Sequence, residues 1–329
     1  MGKFLTSEKI SQMQFKRSNT FSTAAQVDGI YKTNAYPFCL PRECVGENLF
    51  TGIRADALNY FKRHGIKWHD GQDHNPSNHL CDSQVCCVNF LYPFANQPEA
   101  LAALLRPLFP HLAEMLPIED EQFVAFEWIG AENYLNERMR EQNKRTRGAN
   151  FTSADAAVLF RRDDGLRQVV LIEWKYTESY APVDLQIAAS GTSRLDIYRP
   201  LFDAPDCPLS KTALPSFQAL FYEPFYQLMR QQFLAHEMEK AHELGADIVS
   251  LLHISPAHNT DFKRITSPQL QSLGESATAE WSQLVKDRSR FTAAHSEDLF
   301  GCFDVQPFPE LQPWWEYLSA RYAWVKKSF

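Results

Sequence analysis

The chain has 329 residues, 44% of them hydrophobic, and a formal net charge of −7. That length can bury a substantial core in one large domain or two. The acidic balance argues against a protein that binds nucleic acid through overall positive charge, and no apolar run is long enough to span a membrane. The N-terminus lacks the apolar region of a signal peptide and the seven cysteines include an adjacent pair, so we expect a cytoplasmic protein in a reducing compartment.

A structural zinc site has to be weighed in the first part of the chain. Two pairs of cysteines and three histidines lie close together in the sequence, namely Cys39 and Cys44, Cys81 and Cys86, and His69, His74 and His79. The four-residue gap within each pair is longer than the usual zinc-binding gap. An apolar stretch surrounds Cys86 and Cys87, so they fit small buried residues. We therefore favour buried cysteines over a structural zinc site.

The N-terminal part predicts short helices before any strand. Its first 48 residues are weakly patterned and predict an irregular arm or short elements. Apolar periodicity and the proline at position 93 predict helices over 55–64, 79–92 and 98–108. Ser83, Gln84 and Asn89 are polar positions in the second of these helices. We expect them to serve helix packing rather than chemistry, because they lie far in sequence from the charged stretch described below.

Strand and helix signals follow one another through the rest of the chain. Strands are predicted over 122–129 and 246–254, and helices over 131–144, 216–244 (interrupted or kinked at Pro224) and 277–286. Repeated prolines predict a loop-rich insertion over 181–215. The aromatic tail predicts a C-terminal helix that caps the core, with base stacking as the alternative; its rings are Trp314, Trp315, Tyr317, Tyr322 and Trp324.

The stretch 151–178 predicts one β-hairpin that brings charged side chains together. Alternating residues, a turn at 163–165 and a second apolar run give the order strand, turn, strand. The midpoint of Asp155 and Glu173 falls within that turn, so the pairing places them roughly opposite each other. Lys175 then shares a face with Glu173, while Trp174 points to the other face.

These charges interrupt strands that are otherwise apolar, and buried charges need partners. A Mg²⁺ ion would be such a partner, because Asp155, Glu173 and the backbone carbonyl of Trp174 offer it oxygen ligands. Lys175 would lie beside a water bound to the ion. The alternative is a salt-bridge cluster on a solvated face of the sheet, since short motifs match by chance.

An aspartate, a hairpin and then Glu-Trp-Lys resemble the PD-(D/E)XK nuclease superfamily, which has the restriction endonuclease-like fold. The segments RGANFTSADA, LIEWKYTESY and YEPFYQLMR are similar to a family of uncharacterised bacterial restriction endonucleases within that superfamily. The resemblance covers roughly residues 81–256. The Pro-Asp pair of the superfamily is Ala154-Asp155 here, which leaves the metal-binding carboxylate in place.

The resemblance implies an α/β fold with a restriction endonuclease-like core, a mixed β-sheet flanked by helices, over 121–260. A largely helical and irregular N-terminal region over 1–120 and a helical, aromatic C-terminal extension over 261–329 would flank it. The implied function is metal-dependent hydrolysis of phosphodiester bonds in nucleic acid, with DNA as the expected partner and restriction or defence as the setting. We expect no membrane association, while a homodimer or a targeting partner protein stays open.

The resemblance also implies roles for the charged residues. Asp155 and Glu173 would hold Mg²⁺, for which Mn²⁺ can substitute, and Lys175 would orient the attacking water and stabilise developing charge. Superfamily members often add a glutamate from the element before the first hairpin strand. Glu137 is our choice for that catalytic glutamate, with Glu127 and Glu132 as rivals.

Substrate-binding candidates lie on both sides of the hairpin: Arg147, Ser153, Gln218, Tyr222 and Gln227. Residues four apart share a helix face, so Gln218, Tyr222 and Tyr226 would point together toward the metal site or the DNA backbone. The alternative is a helix that serves packing only, because many of its residues are large and apolar.

Basic residues cluster around the first hairpin strand: Arg138, Arg140, Lys144, Arg145 and Arg147 before it, and Arg161 and Arg162 at its end. Such a local cluster would contact DNA phosphates despite the acidic whole. The alternative is a solvated helix face on which Glu132, Glu137 and Glu141 pair with the basic residues.

Two further function classes stay open. One is a catalytically idle nuclease-fold protein that binds DNA or another protein. The other is a metal-dependent hydrolase of small phosphoesters. The complete Asp155, Glu173 and Lys175 set argues against the idle protein, because an unused buried charge cluster has no evident compensation.

Overall fold

The computed structural model describes residues 2–72, 74–137, 145–149, 151–274 and 276–326. Its helices are α1 (Lys3–Lys16), α2 (Arg54–Arg63), α3 (Ser83–Leu91), α4 (Pro98–Leu105), α5 (Arg194–Asp203), α6 (Phe225–Lys240), α7 (Thr260–Lys263), α8 (Ala277–Leu284), α9 (Ser296–Phe300) and α10 (Gln312–Arg321). Its strands are β1 (Gly29–Tyr31), β2 (Asn34–Tyr36), β3 (Leu112–Leu116), β4 (Ala125–Trp128), β5 (Ala154–Arg162), β6 (Arg167–Trp174), β7 (Ile248–Ser255) and β8 (Phe291–His295). Across these ranges, no helix combines the length and the apolar character needed to cross a membrane.

Six strands of the described chain form one mixed sheet in the order β3-β5-β6-β7-β8, with β4 pairing with β5 as well. The pairs made by β5 are antiparallel, and β6, β7 and β8 run parallel to one another. Helices cover both faces, so the α/β fold with a flanked mixed sheet is confirmed. Strand β3 lies before residue 121 and β8 lies after residue 260, so the sheet extends beyond the predicted core region of 121–260. The division into three regions stays a prediction.

The two faces of the sheet carry separate apolar cores. Along β6, Ile172 and Trp174 pack with α3, α4 and the C-terminal aromatic residues. Val169 and Leu171 point the other way and pack with α6 and α8. This alternation is what a strand buried on both faces requires. Trp314 and Tyr322 of the aromatic tail are buried in the first of these cores, so the predicted capping role is confirmed.

The expectation of an irregular arm or short elements over the first 48 residues holds after residue 16 but was wrong for α1, which is a helix of 14 residues. Its buried face includes Glu8, Gln12 and Lys16, which are polar. Glu8 accepts a hydrogen bond from the Tyr176 hydroxyl (2.6 Å), and Lys16 donates to the carbonyl of Cys39 (2.6 Å). Polar residues on the inner face remove the apolar period by which a sequence identifies a helix.

The helix predicted over 131–144 does not form in its described part, 131–137. The Asn133 amide donates to the carbonyl of Glu137 and accepts from its N–H, at 2.8 and 3.1 Å. Such side-chain bonds compete with helical ones, and Asn136 adopts a left-handed φ of 51°. Residues 138–144, with Arg138, Arg140 and Lys144, lie outside the described residues.

Two predictions after the hairpin are confirmed in part. The stretch 181–215 contains α5, a helix of 10 residues that accommodates Pro200, so it is not only loop. The helix predicted over 216–244 is interrupted at Pro224, one of the two forms predicted, with a 3₁₀ turn at Phe217–Leu220 before it and α6 from Phe225 to Lys240 after it. Gln218 and Tyr222 therefore do not continue the face of α6, and the predicted shared stripe with Tyr226 was wrong.

Candidate active site

The ends of β5 and β6 that lie away from their turn carry the charged residues. The register pairs Ala156 with Ile172, which places Asp155 opposite Glu173, as the sequence predicts. A carboxylate oxygen of Asp155 accepts a hydrogen bond of 2.7 Å from the backbone N–H of Trp174. Asp155 is half-buried, whereas only 1% of Glu173 is exposed, so the cluster meets solvent on the Asp155 side.

Glu173 is held from two sides. Its Oε1 forms an ion pair with the ammonium of Lys175, which is also buried. Its Oε2 accepts a hydrogen bond from the amide of Gln231, which lies on α6 and also donates to the carbonyl of Ser153 (3.2 Å). The helix that packs on this face of the sheet therefore fixes the rotamer of the central carboxylate.

Glu127, at the end of β4, supplies a third carboxylate. It accepts hydrogen bonds from Gln84 (2.6 Å) and from the hydroxyl of Ser153 (2.8 Å), and it is buried. Its φ is 49°, in the left-handed region that is costly for a residue other than glycine. Glu127 is close enough to the other two carboxylates for repulsion to act: Glu173 raises the pKa of Glu127, and Glu127 raises the pKa of Asp155.

Glu137, the catalytic glutamate chosen from the sequence, is held elsewhere. It accepts hydrogen bonds from the N–H and hydroxyl of Thr152, at 2.8 and 2.6 Å, and from the Tyr198 hydroxyl (2.7 Å). These contacts anchor the segment before β5. Of the three glutamates considered, Glu127 is the one that the structure brings to Asp155 and Glu173, while Glu132 is exposed.

Burial and mutual repulsion set the charges of the cluster. Burial, and then repulsion by Glu173, raise the pKa of Asp155 well above its usual range. Burial also raises the pKa of Glu127, against two hydrogen bonds that it accepts. Burial acts to lower the pKa of Lys175, but attraction by Glu173 and other acidic groups outweighs it, and the pKa rises. With three carboxylates and one ammonium, the cluster lacks positive charge.

Helix α3 contributes contacts that sequence reasoning assigned to packing. The Ser83 hydroxyl lies 3.5 Å from the carbonyl of Trp174, and Gln84 binds Glu127. Asn89 does serve packing, since it bonds to Phe50 and Tyr322. The signal for Ser83 and Gln84 was their polarity within an otherwise apolar helix.

The basic residues predicted to contact DNA that lie within the described ranges bond to other parts of the protein. Arg147 pairs with Glu119 (2.8 Å) and bonds to main-chain carbonyls of β4, and Arg145 bonds to carbonyls just after β4. Arg161 pairs with Glu114 (2.6 Å), and Arg162 pairs with Asp164 within the hairpin turn (2.8 Å). Both lie about 20 Å along β5 from Asp155.

The other substrate-binding candidates take different positions. Ser153 is half-buried and bonded to Glu127, inside the cluster. Gln218 and Tyr222 precede α6 and are half-buried. Gln227 lies one helical turn before Gln231, and it is Gln231 that reaches Glu173.

The oxygen atoms of the cluster suit a hard divalent cation. Two carboxylates and the Trp174 carbonyl are ligands of the type that Mg²⁺ prefers, and the buried Oε1 of Glu173 makes its ion pair without an aligned hydrogen bond. The described residues contain no preassembled group of three or more His, Cys, Asp or Glu side chains with metal-binding geometry. The carboxylates accept hydrogen bonds from Gln231, Gln84 and Ser153 instead, so an ion would bind through the lone pairs that these leave.

Comparison with known proteins identifies the family. A family model described as Restriction Endonuclease associating with ARP matches residues 9–323, nearly the whole chain. Neither the curated proteins nor the solved structures give a match. The resemblance to restriction endonucleases seen in the hairpin sequence is confirmed by this match.

Proposed function

Because the chain belongs to the family Restriction Endonuclease associating with ARP, we propose that it is a metal-dependent nuclease that hydrolyses phosphodiester bonds of DNA. The observation that carries the proposal is the meeting of Asp155, Glu173 and Lys175 at the open end of one hairpin. Glu127 adds a carboxylate from the neighbouring strand. Structural ion pairs do not need such an excess of buried acid.

Asp155, Glu173 and the carbonyl of Trp174 would hold Mg²⁺ or Mn²⁺. A bound ion of this kind polarises a phosphate and lowers the pKa of a bound water. Lys175 stays protonated and forms an ion pair with Glu173, and its three N–H donors can serve an attacking water or a phosphoryl oxygen. Gln231 keeps Glu173 in place during this chemistry.

The substrate would approach from the side of Asp155 and Ser153, because both are half-buried while Glu173 and Lys175 lie beneath them. We propose a duplex rather than a mononucleotide as substrate on the strength of the family. The phosphate contacts cannot be supplied by Arg161 and Arg162, which lie at the far end of the hairpin.

The test is cleavage of supercoiled plasmid by the full-length chain with Mg²⁺, with Mn²⁺ and with chelator. Relaxed or linear product is expected with either metal and none with chelator, and nucleotide phosphoesters should not be hydrolysed. Asp155→Asn should abolish the reaction. Asp163→Asn, the same change in the exposed hairpin turn, is the matched control and should leave it intact. Equal cleavage by wild type and Asp155→Asn would identify a contaminant and overturn the proposal.

A catalytically idle binding protein is the second candidate, and the hydrogen bonds of the cluster favour it. Gln231, Gln84 and Ser153 occupy carboxylate oxygens that a metal would need. An idle protein would bind DNA in a binding assay and would not cut it with either metal. We also propose, from the family description alone, that an ARP protein is its partner; co-elution of the two chains on gel filtration tests this.

A further inference from the structure

The loop before α3 lies beside the acid cluster formed by Asp155, Glu173 and Glu127. His69 lies in this loop, and its side chain is 74% exposed. Its Nδ1 lies 3.5 Å from a carboxylate oxygen of Asp82, which is buried. The other oxygen of Asp82 accepts from the N–H of Val85 (2.8 Å) and so caps α3. Both oxygens of this aspartate are thus assigned, one to the helix and one to the imidazole.

The position of His69 is fixed relative to the acid cluster. Its backbone N–H donates to the Gln84 side chain (2.7 Å), and Gln84 donates in turn to Glu127 (2.6 Å). On the other side, Lys67 N–H donates to the carbonyl of Arg147 (3.0 Å). A Cβ on Gly148 would lie 2.4 Å from the Lys67 carbonyl, so the two segments pack closely there.

We propose that His69, oriented by Asp82, contacts a phosphate of the nucleic acid beside the one that is cut. This inference rests on the proposed function and adds a substrate-contacting residue to it. With Nδ1 facing Asp82, Nε2 is the nitrogen left to point toward solvent, and a single side chain, Gln84, separates the residue from Glu127. The hydrogen bond and charge of Asp82 raise the pKa of His69 to about 9, so the ring is cationic at neutral pH.

The arginines near the acid cluster already have partners within the protein. Arg145 is committed to main-chain carbonyls, and Arg147 is committed to Glu119. The exposed imidazolium of His69 is a positive group next to the cluster. Its Nε2 can reach a phosphate while its Nδ1 keeps the contact with Asp82.

The test is binding of a linear DNA duplex across a series of salt concentrations with Mg²⁺, in an Asp155→Asn background that prevents cleavage. His69→Gln should weaken binding about fivefold and reduce the slope of log affinity against log salt by about 1, the loss of one phosphate contact. Asp82→Asn keeps a capping side chain for α3 and should act in the same direction. His69→Arg should restore the slope.

His111→Gln is the matched control, because His111 also pairs with an aspartate (Asp163, 3.1 Å) and is 58% exposed, but lies at the turn end of the hairpin. It should leave the slope unchanged. In the intact protein His69→Gln should raise KM more than it lowers kcat, which a loss of stability does not do. An unchanged slope with normal plasmid cleavage overturns the role of His69 and leaves the proposed function standing. A wild type that neither binds nor cuts DNA overturns both.

Discussion

Two buried polar clusters in this fold are held in opposite ways. In the first, the guanidinium of Arg321 is 1% exposed and is surrounded by acceptors. Its Nε donates to Gln12 (3.0 Å), one Nη to the Asn48 carbonyl and the Tyr317 hydroxyl (2.6 Å each), and the other to the Leu80 carbonyl (3.1 Å). One positive charge is dispersed over neutral partners from both ends of the chain.

In the second cluster, three carboxylates face a single ammonium. Asp155, Glu173 and Glu127 outnumber Lys175, and the pKa values of Asp155 and Glu127 are raised. Every nitrogen of the Arg321 guanidinium has a partner, whereas the Oε1 of Glu173 has its ion pair and no aligned hydrogen bond. A cluster that serves stability is satisfied by the protein itself, and one that lacks positive charge points to a ligand.

The largest effect is expected from Asp155→Asn. Under the proposed function the change removes one metal-binding charge, so plasmid cleavage should fall on the order of 10³-fold or more, about 4 kcal/mol in transition-state free energy. The asparagine can still accept the hydrogen bond from Trp174, and the fold should persist. Divalent-metal binding, followed by calorimetry, should weaken in parallel. Unchanged metal affinity would remove Asp155 from the site.

The same substitution changes how stability depends on pH. The pKa of Asp155 is raised in the folded state, so folded protein binds more protons than unfolded protein from about 3.9, the ordinary aspartate pKa, up to the raised value. The metal-free wild type should therefore lose stability as pH rises through that window, and Asp155→Asn should lose less. Thermal melting in chelator across a pH series measures this. Parallel profiles would contradict repulsion within the cluster.

Arg321→Leu should cost about 3 kcal/mol of unfolding free energy, because it leaves buried acceptors without donors. Urea denaturation measures the loss, and cleavage per folded molecule should not change. Arg106→Leu removes an exposed arginine that also bonds to main-chain carbonyls and should shift stability by no more than about 0.5 kcal/mol. Similar costs for the two variants would mean that the Arg321 cluster does not hold the chain ends together.

The hairpin shows what the sequence could predict. Strand, turn and strand lie within 28 consecutive residues, so the midpoint of Asp155 and Glu173 determined their register and the face of Lys175. The parts that were missed depend on contacts between distant segments. Helix α1 hides polar residues against the C-terminal helix, with Gln12 bonded to Arg321 across 309 positions, and local periodicity carries no trace of that contact.

The third carboxylate, Glu127, was ranked below Glu137 for a related reason. Glu127 and Glu137 both precede β5, and the prediction of a helix over 131–144 favoured Glu137. The backbone of Glu127 is left-handed, which directs its side chain in a way that strand alternation does not predict. Gln84, 43 positions away, then holds that carboxylate. A choice between two glutamates on neighbouring segments needs the tertiary structure.

Glu127→Gln and Glu137→Gln separate the two glutamates. Glu127→Gln should lower the rate of cleavage about 10²-fold, about 2.7 kcal/mol, because it removes a charge next to Asp155 and Glu173. Glu137→Gln should instead cost about 1–2 kcal/mol of stability, because it weakens the bonds to Thr152 and Tyr198. Rates are compared per folded molecule, with the folded fraction from urea curves.

The smallest effect distinguishes two glutamines on α6. Gln231 is fully buried and donates to Glu173 and to the Ser153 carbonyl, so Gln231→Leu should lower cleavage about tenfold, about 1.4 kcal/mol, by freeing the central carboxylate. Gln227 is half-buried one turn earlier, and Gln227→Leu should change the rate less than twofold. Both variants replace the same side chain on the same helix, and of the two it is Gln231 that contacts Glu173 and the Ser153 carbonyl. Under the proposed function that contact holds a metal ligand, so Gln231→Leu should also weaken Mn²⁺ binding. A packing defect would instead lower the melting temperature and leave Mn²⁺ affinity per folded molecule unchanged. The reverse order of effects, with Gln227 the more damaging, would show that α6 presents its earlier turn to the substrate and only packs against the acid cluster.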